Sequence, residues 1–136
     1  MSSITPAIIP TMMYRDAHAA IRWLCEVIGF SEKAVYLDES GDVAHAELVL
    51  GNGMIMLGGI KDNEYGQQIR QPDEVGAETQ SPYVVVANPA VVYQRVKEQG
   101  GEVIIALRSQ DYGGQHFTFR DPQGHLWNIG SYDPWA

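Results

Sequence analysis

The sequence predicts an α+β domain built from two tandem βαβββ modules, and three observations lead there. Residues 45–59, HAELVLGNGMIMLGG, are echoed by residues 116–130, HFTFRDPQGHLWNIG. In each, a His opens an alternating run, a Gly follows (Gly53, Gly124), and a second Gly closes the hairpin pattern (Gly59, Gly130). The same strand-helix-strand order stands ahead of both hairpins. Finally, the 136 residues, 45% of them hydrophobic, fit one domain, whereas a half of about 65 residues would bury too little surface to be comfortably stable alone.

The elements follow from local patterns. AIIPTMMY, residues 7–14, reads as a strand. DAHAAIRWLCEVIG, residues 16–29, places Ala17, Ala20, Ile21, Leu24 and Ile28 at helical spacing, with Asp16 as N-cap and Gly29 ending the helix. Strands are expected at 30–38, 43–50 and 54–59. The second module repeats the order with a strand at 82–87 and a helix at 89–99 that carries Val92, Tyr93 and Val96 and stops at Gly100-Gly101. Strands at 102–108, 115–120 and 125–131 complete it. The whole chain, 1–136, is thus one domain, with module one at about 6–59, a linker at 60–80 and module two at about 81–133. The linker is polar, poorly periodic and longer than most connections in compact domains, so it is either a lid or a plain connector.

Composition narrows the function. A formal net charge of −8 provides no basic stripe and argues against nucleic-acid or anionic-membrane partners. The single Cys25 cannot form an internal disulfide, and MSSITPAIIP carries neither a charged leader nor a long apolar run, so a cytoplasmic location is expected. No nucleophile elbow, Walker loop or paired-Cys spacing is present in the sequence.

The module order, the YRDAHAAIRWL helix entry, the DPQGHLW hairpin and the GEV strand resemble the vicinal oxygen chelate superfamily, which includes glyoxalase I, bleomycin resistance proteins and extradiol dioxygenases. The resemblance spans roughly residues 6–133. It implies two modules whose strands form a curved mixed sheet around a ligand cleft. Metal-dependent members take one ligand from the first and fourth strand of each unit, positions that the resemblance maps to Pro10, Leu57, Pro82 and Asn128. Pro and Leu offer no donor, and the neighbours Met56, Gly58, Ser81 and Tyr83 repair little, so no metal and no cofactor are expected.

Hairpin geometry then nominates a site. Three-residue loops Gly51-Asn52-Gly53 and Pro122-Gln123-Gly124 would place Leu50 opposite Met54 and Asp121 opposite His125. Alternation puts His45, Glu47, Val49, Ile55 and Leu57 on one face of the first hairpin, and His116, Thr118, Arg120, Leu126 and Asn128 on the matching face of the second. Met12, Tyr14, Val84 and Val86 are expected to line the same cleft, giving a mostly apolar pocket with a few polar groups. A carboxylate facing such a pocket needs a partner, and Arg120 is the candidate for Glu47. His18 and His125 read as solvated, and Cys25 as a small buried hydrophobe.

Two functions stay open at this stage. One is a metal-free homodimer, resembling the bleomycin resistance group, that holds a small aromatic or cationic compound in the cleft. The other is a glyoxalase-like lyase, isomerase or dioxygenase with Glu47 as general base, and His45 and His116 in acid-base or non-standard metal roles.

Overall fold

The computed structural model describes residues 3–136. Two four-stranded mixed sheets share one topology. In the first unit β1 (Thr11–Tyr14), α1 (Ala17–Val27), β2 (Ser31–Leu37), β3 (Val43–Leu50) and β4 (Gly53–Gly59) form a sheet of order β1-β4-β3-β2. A 3₁₀ turn at Gly66–Gln68 and the short α2 (Pro72–Val75) lie in the connection. The second unit has β5 (Tyr83–Val85), α3 (Pro89–Glu98), β6 (Glu102–Ser109), β7 (Gln115–Arg120) and β8 (Leu126–Gly130), in the order β5-β8-β7-β6. In each sheet the first strand runs parallel to the last and the remaining pairs are antiparallel.

The helix signals act as their chemistry requires. The Asp16 carboxylate accepts from the Ala19 backbone N–H at 3.0 Å and caps α1, and Gly29 leaves the helix at φ 109°. Both units bury one face in a shared core. Ala20, Ile21, Leu24 and Val27 of α1 pack with Ala46, Leu48, Ile55 and Leu57 of the first sheet and with Val96, Phe119 and Trp127 of the second unit. Trp23 meets Phe119 with ring centroids 5.7 Å apart, and Phe30 meets Trp127 at 6.0 Å. The units therefore pack through their helix-bearing faces.

Two hairpins built on the same echo close differently. The second behaves as expected: Asp121 N–H donates to His125 O at 2.9 Å across Pro122-Gln123-Gly124, with Gly124 at φ 95°. The first has a loop one residue shorter. Leu50 pairs with Gly53, not with Met54, and Gly51 rather than Gly53 takes the positive φ, 57°, as a primed two-residue turn with Gly at its first central position demands. A one-residue slip moves every side chain of β4 to the other face. Ile55 and Leu57 therefore turn into the core, 4% and 3% exposed, and Met54 and Met56 join His45 and Glu47 on the outer face.

The first strands correct the lining in the same way. Met12 and Tyr14 share the side of Leu57, and Val84 that of Ile129, so Tyr14 and Val84 face the core, whereas Met12 packs against it and also borders the hollows beside β1. Val86 also packs on the core. Tyr14, 1% exposed, gives its hydroxyl to Asp121.

Candidate functional site

Each unit has an outward polar face. On the first, the His45 ring nitrogen Nε2 lies 3.0 Å from Glu47 Oε2, and Lys33 Nζ lies 4.0 Å from the other carboxylate oxygen. The expected Glu47–Arg120 pair does not form. Arg120 belongs to the other unit, donates to Gly124 O at 3.0 Å and lies 4.0 Å from Glu102. Tyr36 stacks on His45 with centroids 6.1 Å apart and planes 22° from parallel. Beside this pair a hollow of about 390 Å³ opens, bordered by Thr11, His45, Met56, Lys61 and Tyr65. Met12 reaches its edge.

The second face carries His116, Thr118, Arg120 and Asn128, as alternation predicts. Thr118 Oγ1 donates to Asn128 Oδ1 at 2.9 Å, and Asn128 Nδ2 donates to Ser81 Oγ at 2.9 Å and to Pro82 O at 3.2 Å. The Tyr83 ring stacks on His116 at 6.2 Å and 18°, and its hydroxyl donates to Tyr132 O at 2.7 Å. Burial, reinforced by neighbouring tyrosines and Asp133, raises the Tyr83 hydroxyl above its usual range, so it stays a neutral donor. The ring lies over Gly130, where a Cβ would come within 2.9 Å of Tyr83 Cε1. The closing glycine of the echo thus makes room for an aromatic ring.

The two faces do not meet within one chain. The units meet through α1, which packs on α3 and on Phe119 of β7, and through Phe30 on Trp127, and both polar faces turn away from the core they share. A His stacked by a Tyr recurs on each face. Sequence reasoning found both histidines but neither Tyr36, on the neighbouring strand, nor Tyr83, two strands away, because a stacking partner on another strand leaves no mark in a local pattern.

The four family metal positions can be judged on their donors. Met56 N–H donates to Pro10 O at 3.0 Å, and Asn128 N–H donates to Pro82 O at 3.0 Å, the same relation in each unit. Register turns Met56 outward where the sequence mapping put Leu57, and beside Asn128 the side-chain donor is the Ser81 hydroxyl, Pro82 contributing only its carbonyl oxygen. The side-chain donors are then a thioether, a hydroxyl and an amide, with no imidazole or carboxylate. Such a set does not fit a divalent cation, and no group of three or more His, Cys, Asp or Glu side chains converges among the described residues. Cys25 lies partly buried beside the core, and burial together with Glu32 and Glu26 raises its thiol above the usual range, the opposite of an activated nucleophile.

No helix among the described residues is long and apolar enough to cross a membrane. A sequence relative, an uncharacterized protein of Mycobacterium bovis, is 25% identical over 128 residues, covering 94% of this chain and 84% of that protein. Among solved structures the chain is similar to TioX from Micromonospora sp. ML1, with TM-score 0.72, 23% identity and coverage of 93% of this chain and 98% of that one. It is also similar to protein PA1353 of Pseudomonas aeruginosa, with TM-score 0.68, 19% identity and coverage of 93% and 97%. A glyoxalase-related enzyme from Fulvimarina pelagi matches with TM-score 0.60, 16% identity and coverage of 93% and 88%. These structural likenesses establish the fold. Residues 8–129 match the model of the glyoxalase/bleomycin resistance protein/dioxygenase superfamily, and with that fold around them the chain belongs to this superfamily.

Proposed function

We propose that the protein binds a small planar organic molecule without a metal, in sites completed when two copies pair. The observation that carries this reading is the pair of outward faces, each bearing a Tyr-stacked His, that have no counterpart opposite them in their own chain. Apposing the first-unit face of one copy with the second-unit face of the other makes a cleft between two stacked aromatic pairs, which suits a flat ring. Glu47 at its wall, with His45 and Lys33 beside it, supplies the charge that orients a cationic or hydrogen-bonding substituent. Isologous pairing makes two equivalent sites.

The experiment is complementation. Light scattering should give a mass near twice 15.1 kDa. Binding of proflavine, a flat aromatic cation, should vanish in H45A and in H116A dimers, yet one of the two sites in each mixed dimer, about a quarter of all sites after statistical re-pairing, should return when the two variants are mixed. A monomer at micromolar concentration, or mixed variants that never recover binding, refutes the shared site.

One observation keeps the enzymatic reading in play. The His45–Glu47 contact at 3.0 Å is the arrangement a general base uses, with His116 available to polarise an oxygen across the cleft. Turnover of a hemithioacetal or similar substrate that is abolished in E47Q would favour it.

A further inference from the structure

The turn residue His125 is buried, 6% exposed, and both its ring nitrogens face oxygens that only accept. Nε2 lies 2.9 Å from Met13 O, and Nδ1 lies 3.0 Å from Glu78 Oε1. A neutral imidazole has a single N–H and satisfies one of these contacts; two need a second proton on the pair. Glu78 Oε1 also accepts from Leu126 N–H at 3.2 Å, so that oxygen is best served as an ionised acceptor and the second proton belongs on the ring. The contact is then an imidazolium–carboxylate pair between residues 47 positions apart.

Glu78 lies in the connection between the units, and this segment is docked as a strap. Gln71, 2% exposed, donates to Met13 O at 3.1 Å, but its own Oε1 is buried without a partner. Arg15 pairs with Asp73 at 2.6 Å and Glu74 at 3.3 Å on the exposed side, where ion pairs contribute little. Tyr65 touches Thr11 at 3.0 Å and borders the hollow beside His45. The Glu78–His125 pair is the fastening that joins strap, first unit and second unit at one point.

We propose that this pair is a proton-held latch that keeps the strap, residues 66–80, closed over the junction, and that its release opens the hollow lined by Gln68, Arg70, Glu78 and His125, which shares Thr11 and Tyr65 with the one beside His45. Other ionisable groups surround the ring. Tyr14 lies 4.5 Å from it with its hydroxyl given to Asp121, Asp121 Oδ1 accepts the His125 backbone N–H at 3.1 Å, and Arg70 lines the adjoining hollow of about 390 Å³. None of them offers His125 Nδ1 a donor in place of the lost proton. Removing it turns one N–H···O contact into two facing acceptors, and the strap loosens. The latch stands by itself, whereas its effect on ligand entry rests on the binding proposed above.

Imidazole ¹⁵N shifts of the wild type at neutral pH test the protonation without any variant. Both His125 nitrogens should be protonated, and a singly protonated ring overturns the latch. Glu78→Gln keeps shape and an acceptor for Leu126 while removing the charge. In that variant, amide exchange across 66–80 should speed up by about tenfold or more while α1 and β3 keep their protection. Unchanged strap exchange overturns the proposal. Stopped-flow entry of proflavine should quicken in the variant. If the strap loosens and the wild type binds no proflavine at all, the binding reading fails and the latch survives.

Discussion

The Tyr14 hydroxyl of the first unit donates to Asp121 of the second at 2.6 Å, 107 positions along the chain. Asp121 is 5% exposed, and its other contacts are the Trp127 indole N–H at 3.0 Å and the backbone N–H groups of Gln123 and His125. A buried carboxylate with four donors is satisfied; three of them come from its own hairpin, and the Tyr14 hydroxyl is the one that crosses between the units.

Tyr14→Phe should therefore lower stability by about 1.5–3 kcal/mol, the loss of a hydrogen bond to a charged acceptor, with the fold retained because Trp127 still serves the same oxygen. Burial first, and the Asp121 charge second, hold the Tyr14 hydroxyl well above the ordinary tyrosine range. Its proton is bound more tightly in the folded than in the unfolded state, so this contribution is complete below about pH 10 and is lost as the pH rises further. Tyrosinate absorbance should show that one of the seven tyrosines ionises only on unfolding, and denaturant melts above that pH should converge for wild type and variant.

Glu47→Gln should leave the melt nearly unchanged. Glu47 is paired with His45 and, loosely, Lys33 at the surface of one unit rather than with Arg120 across a buried cleft, so the cost should be about 1 kcal/mol or less. Planar-ligand binding should be lost. A fall in stability of several kcal/mol without a change in binding refutes the assignment.

Gly130→Ala tests the stacked pair on the second face. The added methyl meets Tyr83, whose ring has no room to stay on His116. Fluorescence titration with proflavine should show affinity reduced by about tenfold, and destabilisation should stay near 1–3 kcal/mol, as for other overpacked sites.

Elemental analysis after mild purification should give far less than one metal per chain, because thioether, hydroxyl and amide donors replace imidazole and carboxylate at the family positions. About one Zn, Ni, Fe or Mn per chain would overturn this and direct attention to His45, Glu47 and His116.

What the sequence determined by itself is what local chemistry encodes. Asp16 and Gly29 delimit the first helix, alternation sets the strands, and Asp121 to His125 spells the second hairpin loop, so His116, Thr118 and Asn128 are correctly placed on one outward face. His45 and Glu47 are placed as well, because they lie on β3 ahead of the loop. Only the tertiary structure decided the rest. GNG accommodates a two- or a three-residue loop, and the choice falls to the version that buries Ile55 and Leu57 against α1 instead of exposing them. The inward turn of Tyr14 depends on Asp121, and the burial of His125 on Glu78, partners 107 and 47 positions away. Most of all, whether the two polar faces meet depends on how the modules pack. A shared core of Leu24, Val96, Phe119 and Trp127 turns them outward, because burying two helix-bearing apolar faces against each other outweighs any gain from joining two hydrated polar ones.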